Sequence, residues 1–195
     1  MSETGLNEQI AARVRQLRAA RGLSLEGLAE RSGVSRSMIS LIERGETSPT
    51  AVVLERLAVG LDITLAGLFD PPQGLADPVS RRASQALWRD PDSGYLRRNV
   101  SPAGFPTPIQ IVEVEFPAGG HVAYETGPRP TLTHQQIWVL EGEMDVTVGE
   151  KTWQLQTGDC LAMVLDQRIV FRNPGLEPAR YAVALTTLPP TSRRT

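Results

Sequence analysis

The sequence predicts a two-domain protein of the α plus β class, in which an N-terminal bundle of five helices precedes a C-terminal β barrel. Three observations support this fold class. Helical periodicity runs through residues 7–69 and includes two short helices joined by a tight turn. A segment rich in Pro and Gly, residues 70–86, then opposes both helix and strand and reads as a linker. In residues 87–190, short runs of Val, Ile, Tyr and Trp alternate with polar residues, which is typical of strands.

The helices of the N-terminal segment each have a recognisable beginning or end. Residues 7–21 predict the first helix, and Gly22 ends it. Pro49 and Thr50 open a fourth helix that stops at Gly60. Residues 64–69 supply a short fifth turn that closes the bundle.

Between these helices, residues 24–45 have the pattern of a helix-turn-helix. Ser24 and Ser35 occupy N-cap positions, where a hydroxyl satisfies free backbone amides, and Gly33 lies in the turn. The second helix of the pair leaves polar and basic groups on its outward face, and such groups can donate to phosphates or base edges. The candidate DNA-binding residues are Ser24, Ser35, Arg36, Ser37, Ser40 and Arg44. Glu43 either contacts DNA or pairs with a neighbouring Arg, whereas Arg13 and Arg18 are expected on a solvated face.

Residues 7–69 resemble the lambda-repressor-like DNA-binding domain, the XRE-type helix-turn-helix. The resemblance rests on six short motifs: Leu23-Ser24, Leu28-Ala29, Gly33-Val34-Ser35, Ile39-Ser40, Ile42-Glu43-Arg44-Gly45 and Ser48-Pro49-Thr50. It implies binding to double-stranded DNA. The chain departs from the family at Leu25, where the family commonly has a Gln that touches the DNA backbone.

Composition sets further bounds on function. The chain has 195 residues, of which 41% are hydrophobic, and this is enough for two domains with separate cores. Lys and Arg number 20 against 22 Asp and Glu, so any basic footprint has to come from segregation of charge. Cys160 is the single cysteine, which favours a reducing compartment. Without an apolar run of bilayer length or a signal-peptide pattern in residues 1–9, the sequence predicts a cytoplasmic protein.

The C-terminal part predicts many short strands, as in a sandwich or small barrel. Val112, Val114 and Phe116 alternate with glutamates, so one face of that strand is buried. A hairpin is expected over residues 136–149, and further strands over 152–155, 160–165, 169–171 and 181–188.

Residues 105–188 resemble a cupin, the double-stranded β-helix or jelly-roll barrel. The residues that carry the resemblance are Val139-Leu140-Glu141-Gly142-Glu143, Val146-Thr147-Val148-Gly149, Leu155, Gly158-Asp159 and Phe171-Arg172-Asn173-Pro174. Together with the N-terminal domain, the chain is similar to the XRE-cupin class of bacterial transcription regulators. That resemblance implies a barrel that dimerises and senses a small molecule.

The sequence departs from metal-binding cupins at their ligand positions. The Glu of the first motif is replaced by Gln135, and the His of the second motif by Ile169. A divalent metal would need an improvised site made of His121, Glu125 and His134, so the expectation is no metal cofactor.

A metal-free barrel predicts instead an apolar cavity with a few polar groups that binds a small-molecule effector. The candidate ligand-binding residues are Tyr124, Glu125, Arg129, His134, Gln136 and Trp138. The sequence therefore predicts a ligand-responsive transcription regulator, not an enzyme, that acts as a homodimer on a two-fold symmetric operator. Two alternatives remain: a cupin enzyme with a DNA-targeting domain, and a DNA-binding dimer without a ligand.

Overall fold

A computed structural model describes residues 3–70, 77–125 and 132–188. The chain divides into two compact units. The first unit comprises Met1–Asp92 and Arg98–Pro106, and the second comprises Ser93–Arg97 and Thr107–Thr195. No helix among the described residues is both long and apolar enough to cross a membrane.

Among its described residues, the first unit contains four α-helices: α1 (Glu3–Ala20), α2 (Leu25–Ser32), α3 (Arg36–Glu43) and α4 (Ala51–Gly60). The expected fifth helix is a 3₁₀ segment, Leu65–Phe69, and a second 3₁₀ turn spans Arg82–Ser84. Leu65–Phe69 carries two small residues among three large ones, and it is buried throughout. The prediction of a fifth element at this position is thus correct in place, but the element is not an α-helix.

Side-chain caps fix where the helices begin. The Oγ of Ser24 accepts a hydrogen bond from the Gly27 amide at 3.0 Å, and that of Ser35 from the Met38 amide at 3.3 Å. Thr50 caps α4 in the same way. Gly33 ends α2 with φ of 66°, in the left-handed region that a glycine adopts at low cost. The caps and this turn set the angle between α2 and α3.

The core of the first unit is apolar and closely packed. The fully buried residues include Ile10, Leu28, Ile39, Leu54 and Leu57, which lie on successive helices. The α2 and α4 helices approach closely at Gly60, where an added Cβ would lie 2.8 Å from the Cβ of Ser32. Small residues at this contact let the helix-turn-helix dock on α4.

The division between the units differs from the predicted boundary at residue 87. Strand β1 (Leu87–Arg89) belongs to the helical unit. The Trp88 ring packs 5.8 Å from that of Phe69, and the Asp90 Oδ1 accepts a hydrogen bond of 2.8 Å from the Ala51 amide at the start of α4. These contacts hold the segment after the linker on the helical core. Strand β2 (Leu96–Asn99) spans the division.

Within residues 107–125 and 132–188, the second unit contains eight further strands. They are β3 (Ile109–Phe116), β4 (His121–Tyr124), β5 (Leu132–Glu141), β6 (Glu143–Val148), β7 (Lys151–Gln156), β8 (Cys160–Val164), β9 (Ile169–Arg172) and β10 (Ala179–Leu188). They form two antiparallel sheets, with strand orders β3-β10-β5-β8 and β4-β9-β6-β7. The strands expected from the period-two pattern are confirmed.

The two sheets pack face to face around an aromatic core. The ring of Phe171 on β9 stacks on that of Tyr181 on β10 at 6.1 Å, which joins one sheet to the other. Phe116 lies 6.3 Å from Tyr181 and 5.6 Å from Tyr95. The inward residues of β5 include Thr133, Ile137 and Val139, each at most 3% exposed. Alternation then places their neighbours on the outside of the sheet.

Candidate functional site

The α3 helix presents a polar face outward and an apolar face inward. Ile39 and Ile42 are buried in the bundle, whereas Arg36 and Ser37 are exposed. The Ser35 Oγ lies 3.2 Å from the Ser37 Oγ, so these hydroxyls and the Arg36 guanidinium all lie at the first turn of the helix. The structure therefore brings three of the predicted DNA-binding residues together at the N-terminal end of α3, which is the end that helix-turn-helix proteins direct to base edges.

Arg44 and Ser40 lie together at the other end of α3, but their groups are engaged with each other. The Arg44 guanidinium donates to both Glu46 carboxylate oxygens, at 2.7 and 2.8 Å, and to the Ser40 Oγ at 2.5 Å. Hydrogen bonding to Glu46 raises the pKa of Arg44 and lowers that of Glu46. A phosphate contact by Arg44 would compete with this exposed carboxylate.

Ser24 is exposed at the head of α2, and its Oγ is occupied as the N-cap. Leu25 follows it as the first residue of the helix and is half-buried. The hydrocarbon side chain of Leu25 has no hydrogen-bond donor for a DNA phosphate. A phosphate contact at this point would have to come from the main-chain amides at the start of the helix.

Arg18 and Glu43 form a brace between α1 and α3. The Arg18 Nε and Nη2 donate to the two Glu43 carboxylate oxygens at 2.6 and 2.8 Å, and the Nη1 donates to the Leu23 carbonyl at 2.9 Å. Glu43 is 8% exposed, and its hydrogen bonds raise the pKa of Arg18. The expectation that Glu43 pairs with a neighbouring Arg is confirmed. The expectation of a solvated Arg18 is wrong, because the buried carboxylate draws the guanidinium inward.

Arg13 likewise does more than face solvent. Its Nε donates to the Gly67 carbonyl at 3.3 Å, and its Nη1 donates to the Gln16 side chain at 3.1 Å. This half-buried side chain ties α1 to the 3₁₀ segment. No period-based pattern distinguishes such a bridging arginine from an exposed one.

Of the predicted ligand-binding residues, Tyr124 points between the two sheets. Its hydroxyl lies 3.1 Å from that of Tyr95, and its ring meets that of Phe171 edge-on at 6.0 Å. Burial, followed by the neighbouring Tyr95, raises the pKa of Tyr124 well above its usual value. Burial also raises the pKa of Tyr181, while the positive charge of Arg97 acts in the opposite direction on both tyrosines. This interior therefore holds neutral hydroxyls near a cationic side chain.

Tyr95, Arg97 and Tyr181 were missed by sequence reasoning. The alternation in β10 could have indicated Tyr181 as an inward residue. Tyr95 and Arg97 precede the cupin-like region and gave no sequence signal. Both are buried, at 3% and 7% exposure.

The other predicted ligand-binding residues do not join Tyr124. His134, Gln136 and Trp138 are exposed on the outer side of β5, because Thr133, Ile137 and Val139 take the inward positions. Glu125 is exposed and accepts a 2.7 Å hydrogen bond from the Arg168 Nε. Arg129 lies outside the described residues. These side chains therefore do not line one barrel mouth together, as the sequence had predicted. A ligand-binding role for each of them stays a prediction.

The improvised metal site is also not assembled. Among the residues that the structure describes, no group of three His, Cys, Asp or Glu side chains is placed to hold a metal ion. His121 lies on β4, in one sheet, and His134 on β5, in the other. Both histidines are exposed.

Comparison with known proteins bears on both units. Residues 14–68 match the helix-turn-helix family model HTH_3. The chain is 29% identical over 175 residues to the HTH-type transcriptional regulator SutR of Escherichia coli, covering 88% of this chain and 91% of SutR. It is 32% identical over 66 residues to the HTH-type transcriptional regulator y4dJ of Sinorhizobium fredii, covering 34% of this chain and 86% of y4dJ. A crystal structure of an HTH_3 family transcriptional regulator from Vibrio cholerae superimposes with a TM-score of 0.76 at 28% identity, over 95% of this chain and 98% of that one.

The capped helix pair with its outward polar face and these relatives define a DNA-binding transcription regulator. Both the similarity to SutR and the superposition on the Vibrio cholerae structure extend through the β unit. The chain belongs to the HTH-type transcriptional regulators.

Proposed function

We propose that this regulator binds a two-fold symmetric operator as a homodimer, and that a small molecule in its cupin domain changes that binding. The observation that carries the DNA-reading part is the exposed polar first turn of α3, opposite a fully buried apolar face. In a dimer, two such helices would enter successive major grooves about 34 Å apart.

The residues proposed to read base edges are Arg36 and Ser37. Arg36 is exposed, and an arginine at the start of a recognition helix can donate two hydrogen bonds to a guanine. Ser24, Ser35, Ser40 and Arg44 are proposed to position the unit on phosphates. The hydroxyls of Ser24 and Ser35 already accept hydrogen bonds as N-caps. These two serines would therefore act by holding the backbone amides at the start of each helix toward the DNA.

Selection from a random duplex library would test this part of the proposal. The wild-type chain should enrich a two-fold symmetric sequence, and Arg36→Ala should bind that sequence roughly 5- to 160-fold more weakly, since a bidentate base contact is worth about 1–3 kcal/mol. Arg56→Ala is the matched control, because Arg56 is an exposed arginine on α4, outside the helix-turn-helix. Equal affinities for wild type and Arg36→Ala in anisotropy titrations would refute the assignment.

We place the effector between the two sheets, and we include no metal. Supporting this location, Tyr124 and Tyr181 keep neutral hydroxyls there beside Arg97, an environment suited to a polar or anionic group on an otherwise apolar molecule. The relatives are regulators, which supports a sensing role without turnover. We also propose that the two sheets close into a cupin barrel and that the protein works in the cytoplasm, with the DNA.

Thermal unfolding of the full chain against small carboxylates, amines, aldehydes and divalent metals would test the effector site. An organic ligand at a hundred times its dissociation constant should stabilise the protein by about 2.7 kcal/mol. Tyr124→Phe should weaken that effect, whereas Tyr124 should not matter for a compound that binds elsewhere. Stabilisation by a metal alone would contradict the proposal and revive an enzyme, and no stabilisation by any class would favour a DNA-binding dimer without a ligand.

A further inference from the structure

We infer that Glu46 sets the affinity of this protein for DNA, because its carboxylate competes with a DNA phosphate for the Arg44 guanidinium. This inference rests on the phosphate role of Arg44 in the proposed function and adds the residue that limits it. Glu46 lies just beyond the last residue of α3, on the loop that leads to α4. It is not among the DNA-binding residues that the sequence suggested.

The turn that ends α3 brings the Glu46 backbone beside Arg44. The Glu46 amide donates to the Leu41 carbonyl at 3.0 Å, and the Gly45 amide donates to the Ile42 carbonyl at 2.9 Å. These two hydrogen bonds form a Schellman motif, which needs a left-handed residue, and Gly45 supplies it with φ of 71°. Because the motif already fixes the backbone, the two side chains meet without a further loss of backbone entropy.

The geometry of the guanidinium shows what Glu46 blocks. An arginine presents paired N–H donors along its edges, and each such edge matches a carboxylate or a phosphate. Glu46 occupies the edge formed by the Arg44 Nε and Nη2, with both of its oxygens, at 2.7 and 2.8 Å. The Arg44 Nη1 donates to the Ser40 Oγ, so the second edge is partly used as well. A phosphate therefore has to displace Glu46 from the first edge or bind next to its negative charge on the second.

The position of Glu46 is not explained by the stability of the helix. The side chains of Arg44 and Glu46 are 51% and 53% exposed, and an exposed ion pair adds little to folding. Glu46 also follows the C-terminal end of α3, where the helix dipole is negative and disfavours a carboxylate. An acidic residue at this point thus acts more strongly on what Arg44 can bind than on the fold.

The charge of the pair matters for DNA. Hydrogen bonding to Glu46 raises the pKa of Arg44, and hydrogen bonding to Arg44 lowers the pKa of Glu46, so both groups are charged and their charges cancel. The nearby Glu43 is engaged elsewhere, since both of its oxygens accept hydrogen bonds from Arg18. In a chain of net charge −2, neutralising one arginine of the DNA-binding surface removes an appreciable part of its attraction for phosphates.

Titration of the full chain with the selected operator, followed by fluorescence anisotropy at several salt concentrations, would test this inference. Glu46→Gln should bind about two- to fivefold more tightly for each bound subunit, the upper part of the range for exposed pairs, because the geometry is bidentate. The plot of log affinity against log salt should become steeper by about 0.9 for each bound subunit, since one more phosphate is neutralised. Glu46→Ala should act in the same way, because it also removes the carboxylate.

The background variant Arg44→Met separates competition from plain repulsion between Glu46 and DNA. In this background, Glu46→Gln should no longer raise the affinity or the salt slope, because no guanidinium is released. Glu26→Gln is the matched charge control, since Glu26 is an exposed glutamate in the first turn of α2, and its effect should be the same with and without Arg44. Unfolding midpoints of the variants should stay near that of the wild type, because these positions are exposed.

An unchanged affinity of Glu46→Gln, or an equal gain in the Arg44→Met background, would overturn the inference. Weaker and less selective binding by Glu46→Gln would also overturn it, because Glu46 would then accept a hydrogen bond from a base. Arg44→Met alone separates the two proposals. If it binds the operator as tightly as the wild type, the phosphate role of Arg44 fails together with this inference. If it binds more weakly while Glu46→Gln changes nothing, only the role of Glu46 fails.

Discussion

The Arg18–Glu43 brace should carry a large share of the stability of the helical unit. Replacing Arg18 with Met keeps the hydrocarbon stem but leaves the Glu43 carboxylate, which is 8% exposed, without its two hydrogen bonds. Breaking a buried pair on one side costs about 3–5 kcal/mol. Because Arg18 keeps 18% exposure, we expect the lower end, about 3 kcal/mol, which corresponds to roughly 12–24 °C in midpoint for a domain of this size.

A double-mutant cycle would measure this coupling. The four chains are wild type, Arg18→Met, Glu43→Gln and the double variant, unfolded in urea and followed at 222 nm, because helices α1 to α4 belong to the first unit. The double variant should be more stable than the sum of the single effects indicates, since it no longer buries an unpaired charge. Single effects that add to within about 0.5 kcal/mol would show that the two side chains do not interact, and the brace would be refuted.

Two further variants test the packing and the buried hydroxyls. Gly60→Ala should destabilise the helical unit by about 1–3 kcal/mol, because the new Cβ would lie 2.8 Å from the Cβ of Ser32. Gly27→Ala is the control and should not destabilise it, because its Cβ would meet nothing closer than 3.5 Å. Comparable urea midpoints for the two variants would contradict the close contact of α2 and α4. The raised pKa values of Tyr124 and Tyr181 keep both protonated in the folded state while the unfolded chain releases its protons near pH 10, so stability should be complete below that pH and fall above it by about 1.4 kcal/mol per pH unit for each tyrosine. Calorimetry between pH 9 and 11.5 should show a smaller slope for Tyr181→Phe, and an unchanged slope would exclude Tyr181 as a source.

The helical unit was predictable because its signals are local. A serine cap, a glycine in the left-handed region and period-3.6 apolar residues act within one turn, and Ser35, Gly33 and Ile39 lie where these patterns place them. Arg18 and Glu43 are 25 residues apart in the sequence, and the end of the linker is set by packing of the Trp88 ring on that of Phe69. Such contacts depend on how helices dock, which a single sequence does not record.

The β unit shows where sequence periodicity loses its power. A period of two predicts that Trp138 and Ile137 point to opposite sides of β5, but it does not say which side is inside when both are apolar. The neighbouring strands decide, because β10 places Val183 opposite Ile137 and both are buried. Placing Trp138 at the ligand cavity therefore placed His134 and Gln136 there as well, since all three side chains lie on one side of β5.

The side of β5 that faces outward is itself informative. A strand with apolar residues on both sides satisfies one set within its own domain, and the other set remains at a cost unless something covers it. In β5 the inner set is Ile137 and Val139, while Trp138 stands outside, between Ala182 and Cys160. The same residues that suggest a ligand pocket from sequence thus lie, once the register is known, on the outward side of the sheet. A ligand between the two sheets would therefore contact the inner residues of β5, Ile137 and Val139, and not His134, Gln136 or Trp138.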